Sequence, residues 1–113
     1  ESSFINSYLV VSGTHLKKIQ IQDILYFFSE NNATFIFTNE NRQFLIPKSL
    51  EKIEGEIDNN KFFRINRKFI INKDYIHLVR NTSRIELSLI NFESDFHEVS
   101  KSKSKLFVEW YSK

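Results

Sequence analysis

Between Ile24 and Thr38 the chain reads ILYFFS, then Glu30-Asn31-Asn32, then ATFIFT. Two short runs of β-branched and aromatic residues are parted by three polar ones. The first run is continuously apolar, and the second alternates with the period of a strand. Glu30-Asn31-Asn32 supplies the turn chemistry between them. A strand pair is the reading, and the same pattern recurs along the chain. Tyr8–Val11 and Leu16–Gln20 flank Ser12-Gly13-Thr14 as a hairpin. Arg42–Ile46 follows the turn Asn39-Glu40-Asn41 and stops at Pro47, which has no N–H to give to a ladder. Tyr75–Val79, Arg84–Ile90 and Phe96–Val99 read as further strands, the first two separated by the turn Arg80-Asn81-Thr82-Ser83.

One internal stretch breaks the pattern. In KSLEKIEGEI, Leu50, Ile53 and Ile57 recur at helical spacing and predict a short amphipathic helix packed on a sheet. Gly55 weakens that helix by about 1 kcal/mol relative to alanine, and Asp58-Asn59-Asn60 ends it. Near the C-terminus, 100–111 carries Leu106, Phe107 and Trp110 at three- and four-residue spacings and reads as a second helix anchored by its aromatics. The expectation is a mainly β, mostly antiparallel fold with a central and a terminal helix. With 12 Phe and 4 Tyr in 113 residues the chain has ample material for a core, and its length suits one domain over 1–113. Phe27, Phe28, Phe35, Phe37, Phe62, Phe63 and Phe69 are assigned to that core.

Cysteine is absent, so disulfides, thiolate metal sites and cysteine nucleophiles are excluded. No apolar run approaches the ~20 residues of a membrane-spanning helix, and ESSFINSY carries no basic leader or cleavage pattern, so a cytoplasmic protein is expected. A first residue of Glu instead of Met suggests excision from something longer. Charge is distributed unevenly. Residues 1–60 hold 5 Lys/Arg against 8 Asp/Glu, a net −3, and residues 61–113 hold 11 against 6, a net +5. Such asymmetry suits a basic face for a polyanion, and it also occurs on ordinary solvated surfaces.

Basic and apolar residues interleave most densely at 62–72, FFRINRKFIIN. This segment resembles the central signature of the LytTR DNA-binding domains: an aromatic, Arg, an apolar residue, a polar residue, Arg, then a strand ending in Asn. Around it, Asp23-Ile24-Leu25-Tyr26 is similar to the family's strand opening, Ser49-Leu50 to its helix start, and Val99-Ser100-Lys101 to its last motif. Order and spacing agree from about Phe4 to Trp110. The resemblance implies an elongated antiparallel β-fold that places loops in successive major grooves, with no catalysis and no cofactor. It further implies a bacterial two-component regulator with an N-terminal receiver domain, binding spaced repeat half-sites in duplex DNA as a homodimer. This chain alone is expected to be monomeric.

Arg67 aligns with the family's contacting position, and a guanidinium can donate two bonds to guanine O6 and N7. Asn66 suits adenine or a phosphate, and equally a turn. Lys68 suits phosphate, and Arg64 is either a phosphate clamp or structural. The segment 30–34 is similar to the family's first DNA-facing loop, which brings in Asn31 and Asn32, both also ordinary turn residues. Lys101 stands where the family usually carries Arg, so a point charge replaces a flat two-pronged donor. Lys103 and Lys105 continue that charge toward phosphate or toward solvent. Asn72 reads as a cap that fixes the next strand.

Three other classes compete. An enzyme is disfavoured, because His15, His77 and His97 are isolated, with no metal-ligand spacing, Gly-rich phosphate loop or nucleophile motif. A small β-domain for single-stranded nucleic acid would use the same interleaving of aromatics and basic residues. A protein-interaction domain would differ in its indifference to salt.

Overall fold

The computed structural model describes residues 3–113; Glu1, where the sequence reading begins the domain, lies outside them. Ten strands and two α-helices follow one another in the described residues. The first hairpin joins β1 (Ser7–Ser12) to β2 (His15–Gln20), and Gly13 takes the positive φ of +63° that its turn requires. A central sheet then gathers β3 (Ile24–Glu30), β4 (Ala33–Thr38), β5 (Gln43–Ile46), β6 (Phe62–Arg64) and β7 (Phe69–Asn72) in the order β5-β4-β3-β7-β6. The helix α1 (Leu50–Glu56) lies between β5 and β6 in sequence, with Ser49 as its N-cap accepting from the Lys52 N–H at 3.1 Å. A third sheet, β10-β9-β8, comprises β8 (Ile76–Asn81), β9 (Ile85–Leu89) and β10 (Phe92–Glu98). The chain ends in α2 (Ser104–Tyr111). Every pairing is antiparallel.

The central sheet is covered on both faces, which explains why β3 reads as a continuous apolar run. Along β4 and β7 successive residues feed opposite cores: Ile36 and Ile70 one, Phe37 and Ile71 the other. The first core receives Tyr8, Val10 and Ile19 from the hairpin and Leu50, Ile53 and Ile57 from the helical stripe. The second receives Leu87 and Leu89 from the third sheet and Phe107 and Trp110 from α2. The register between Ile24 and Tyr26 shifts where β3 meets β4, so neighbouring Leu25 and Tyr26 both face the second core. Of the aromatics assigned to the core, Phe27, Phe28 and Phe62 are buried, whereas Phe35, Phe37, Phe63 and Phe69 are half-buried.

Three boundaries differ from the sequence reading. β10 begins at Phe92, four residues before the expected Phe96. Its residues from Phe92 to His97 oppose only Leu89 to Leu87, so the polar stretch Glu93-Ser94-Asp95 bulges out of the ladder and hides the strand's period. β8 runs on through Arg80 and Asn81, expected as turn. There the Arg80 guanidinium lies 3.7 Å from the Phe96 ring centre and its Nε donates to Glu86 Oε1 at 2.8 Å. At the C-terminus, a 3-10 turn, Lys101–Lys103, precedes α2. As expected, the aromatics Phe107 and Trp110 hold the helix, at about 1.5–3 kcal/mol for each fully buried side chain, while Leu106 is 59% exposed. Trp110 Nε1 also donates to the Asn59 carbonyl at 2.7 Å.

Asn72 ties two layers together. Its Nδ2 donates to the Ile24 carbonyl at 2.8 Å and its Oδ1 accepts from the Asp74 N–H at 3.0 Å, while the residue is 1% exposed. Asn72→Ala strands both partners and is expected to lower stability by about 1–3 kcal/mol in urea unfolding; an unchanged midpoint removes Asn72 from the framework. His97 is packed against the rings of Phe69 (4.6 Å between centroids) and Tyr26 (5.6 Å). Burial pushes its pKa below the ordinary value, with Asp95 opposing. The folded protein therefore takes up this proton at lower pH than the unfolded chain, whose histidine titrates near 6.5. Stability is expected to be full above about pH 6.5 and to decline as pH falls toward the depressed folded value. His97→Phe should flatten the change in urea midpoint between about pH 7.5 and about pH 5.5, and an equal slope in both proteins refutes the assignment.

Candidate nucleic-acid interface

Between β6 and β7 the chain must reverse over Ile65, Asn66, Arg67 and Lys68. Ile65 is buried in the second core and pins the loop from below. Asn66 shapes it: Oδ1 accepts from the N–H groups of Lys68 (2.8 Å) and Phe69 (3.0 Å), and Nδ2 donates to the Glu98 carbonyl at 2.7 Å. The carbonyls are satisfied in sequence. Arg64 O accepts from Lys103 Nζ (3.0 Å), Ile65 O from Ser100 N (2.8 Å), and Asn66 O from Arg64 Nε (3.3 Å). Arg67 O accepts from Arg64 Nη2 (2.9 Å), and Lys68 O from Ser29 N (3.0 Å). Five consecutive carbonyls thus have donors from four residues in three separate segments, which fixes the loop as a unit.

Arg64 is held in turn, its Nη1 lying 3.5 Å from Glu54 Oε1 with only 17% of the side chain exposed. Of the two roles the sequence leaves open for Arg64, the structure shows the internal one. Lys103 likewise turns inward to the Arg64 carbonyl, and most of the Asn66 amide serves the loop itself. Arg67 and Lys68 carry the loop's exposed side chains.

The β3–β4 turn stands beside this loop. Glu30 pairs with Ala33, leaving Asn31 and Asn32 as the two-residue connection, with φ of 53° and 63°. Positive φ at both positions is the signature of a type I′ hairpin, which Asn accommodates better than most residues. Both side chains are exposed. Asn32 and Arg67 border one groove of about 520 Å³, together with Thr34, Lys48, Ser49 and Arg64. Lys48 is bound to Glu56 at 2.6 Å. Lys101 is exposed but lies on a different groove, with Arg84 and Lys105. Its link to the loop is the adjacent Ser100, whose N–H reaches Ile65.

Sequence reasoning therefore named the exposed residues of the loop and turn but missed what positions them. Glu54, Ser29 and the Glu98 carbonyl leave no local signal, because each meets the loop from a distant segment. Arg84 was read only as part of a strand. Among the described residues no group of His, Asp and Glu is arranged to hold a metal ion, and no helix is long and apolar enough to cross a membrane.

The fold has counterparts among known proteins. The sequence model of the LytTr DNA-binding domain matches residues 14–112. A solved structure described as the LytTr DNA-binding domain of a methyl-accepting/DNA response regulator from Bacillus cereus superposes with a TM-score of 0.83 at 19% identity, covering 94% of this chain and 96% of that one. No curated protein sequence matches the chain. With the family pattern running through nearly all of its elements, the chain belongs to the LytTr DNA-binding domain family.

Proposed function

We propose that this domain binds duplex DNA sequence-specifically as the output half of a two-component transcriptional regulator, with Arg67 as its principal base-reading residue. The observation that carries the reading is the exposed Arg67 guanidinium on a loop whose five carbonyls are all bonded. Such a loop loses little freedom when it docks, so the donor fork can be matched to guanine O6 and N7 at small entropic cost. Asn32, across the same groove, is the second base-edge candidate, with Asn31 beside it. Lys68 and Lys101 take backbone phosphates. Arg64, Asn66 and Lys103 hold the loop in shape.

The family is a DNA-binding one without catalysis, which removes the enzyme reading. Two features favour duplex over single strand. A stacking platform needs open aromatic faces, whereas Phe27 and Phe62 are buried and Phe28, Phe35 and Phe69 stack on one another. The Bacillus cereus domain, moreover, is described as part of a response regulator. On this reading the domain works in the cytoplasm, follows a receiver domain, and occupies spaced half-sites as a homodimer.

Arg67→Ala should cost about 1–3 kcal/mol on the best duplex and relax preference at one base pair. Lys101→Ala should weaken all sequences alike and reduce the salt slope by roughly one, whereas Lys101→Arg sharpens a preference by restoring a two-pronged donor. Fluorescence anisotropy on a base-substitution series, at one salt concentration, separates these outcomes. Equal losses on cognate and scrambled DNA for Arg67→Ala would demote it to a phosphate contact. A regulator dimerised through its receiver should also bind paired half-sites more tightly than this chain alone, because the second domain then binds at high effective concentration. Sedimentation of the DNA-free chain should show a monomer, and a tight dimer at micromolar concentration counts against this assembly.

A further inference from the structure

Three cations line the groove that Asn32 and Arg67 border: Lys48, Arg64 and Arg67 itself. One short helix neutralises two of them. Glu54 of α1 stands 3.5 Å from Arg64, and Glu56, two residues on, holds Lys48 at 2.6 Å. Among the described residues Arg67 forms no ion pair. The groove therefore presents a single free guanidinium where three cations stand.

The Lys48 pair is built more firmly than a surface contact. Lys48 Nζ lies 5.2 Å from the centre of the Tyr8 ring, and the Tyr8 hydroxyl donates to the same Glu56 oxygen at 2.8 Å. Tyr8 is in turn buried in the first core. The Lys48 and Glu56 side chains are only 31% and 18% exposed, so salt screens their attraction weakly. Burial opposes the charge on Glu56, but the bonds from Lys48 and Tyr8 outweigh it and hold the carboxyl below the ordinary carboxylate range. The acid stays ionised at neutral pH. A phosphate competing for Lys48 must strip it from a carboxylate that would be left without its cation in a half-buried site.

We infer that Glu56 is a positioning residue that limits the strength of DNA binding, keeping Lys48 off the phosphodiester backbone and leaving the groove to Arg67. The inference rests on the duplex-binding reading above. A lysine free to swing would add affinity on every sequence alike, because a phosphate carries no base identity. Held back, it keeps a single domain weak on DNA, so that a lone half-site stays empty at concentrations where a linked pair of domains fills two.

The test is Glu56→Gln, which keeps an acceptor for Tyr8 and removes the charge that holds Lys48. On the selected duplex and on a mixed-sequence duplex the affinity should rise by the same factor, and the logarithmic salt slope should steepen by about 0.9. The gain should accordingly shrink by roughly 3.5-fold between about 50 mM and about 200 mM salt. A purely structural role predicts the opposite sign, since loosening α1 would weaken binding. Adding Lys48→Gln should restore the wild-type slope. Glu56→Asp keeps the charge but draws it back by one methylene, and should give a smaller steepening; it carries the test if Glu56→Gln melts below the assay temperature. Glu51→Gln removes the same charge from an exposed acid of α1 that forms no ion pair among the described residues, and should leave the slope near wild type. A wild-type slope in the Glu56 variants, an equal steepening in Glu51→Gln, or a steepening that survives the loss of Lys48 overturns the inference while base discrimination by Arg67 stands. Failure of the wild-type chain to bind any duplex overturns both readings.

Discussion

A short loop can present an arginine in a fixed attitude only when its own peptide groups are already engaged, since an unpaired carbonyl would draw the backbone toward water or toward another donor. In this domain that condition is met five times in succession, from Arg64 to Lys68, by donors from β3, from the segment after β10, and from Arg64 itself. The consequence reaches beyond the loop. Because Ser29, Ser100 and Lys103 must all arrive at it, β3, the end of the third sheet and the 3-10 turn before α2 are held in mutual position by the requirement to satisfy it.

The two cores make that convergence possible. Were the central sheet covered on one face only, the loop would rest on a single layer; with both faces buried, β6 and β7 are held between the hairpin with α1 on one side and the third sheet with α2 on the other. Arg64 and Asn66 then act as brackets. Arg64 reaches back to Glu54 of α1, and Asn66 reaches the Glu98 carbonyl at the end of β10. The loop that carries Arg67 is thereby tied to both covering layers.

What was legible in the sequence follows the range of the interactions concerned. The β3–β4 hairpin, the stripe Leu50, Ile53, Ile57 and the turn at Gly13 depend on neighbours within a few residues, and each appears where period and turn chemistry place it. Family pattern supplied Arg67. The inward turn of Lys103 was not legible, since its partner lies 39 residues away, nor was the bond from Asn66 across 32 residues. A lysine's sequence neighbours do not say whether it faces a carbonyl or solvent. The early start of β10 escaped for another reason: its bulge suspends the alternation by which strands are recognised.

The Asn31-Asn32 turn and the Arg67 loop differ in the substitutions that their backbones admit. Both positions sit at positive φ, where a β-branched or bulky side chain is strained, so substitution at this tip draws on a small alphabet of Asn, Asp and Gly. Arg67 is under no such restriction: its φ is not positive, and its loop is fixed through main-chain carbonyls and the side chains of other residues. The two tips at one groove therefore differ in evolutionary freedom. One can exchange its side chain for almost any other without rebuilding the backbone, and the other is confined by its backbone to a few polar or minimal residues.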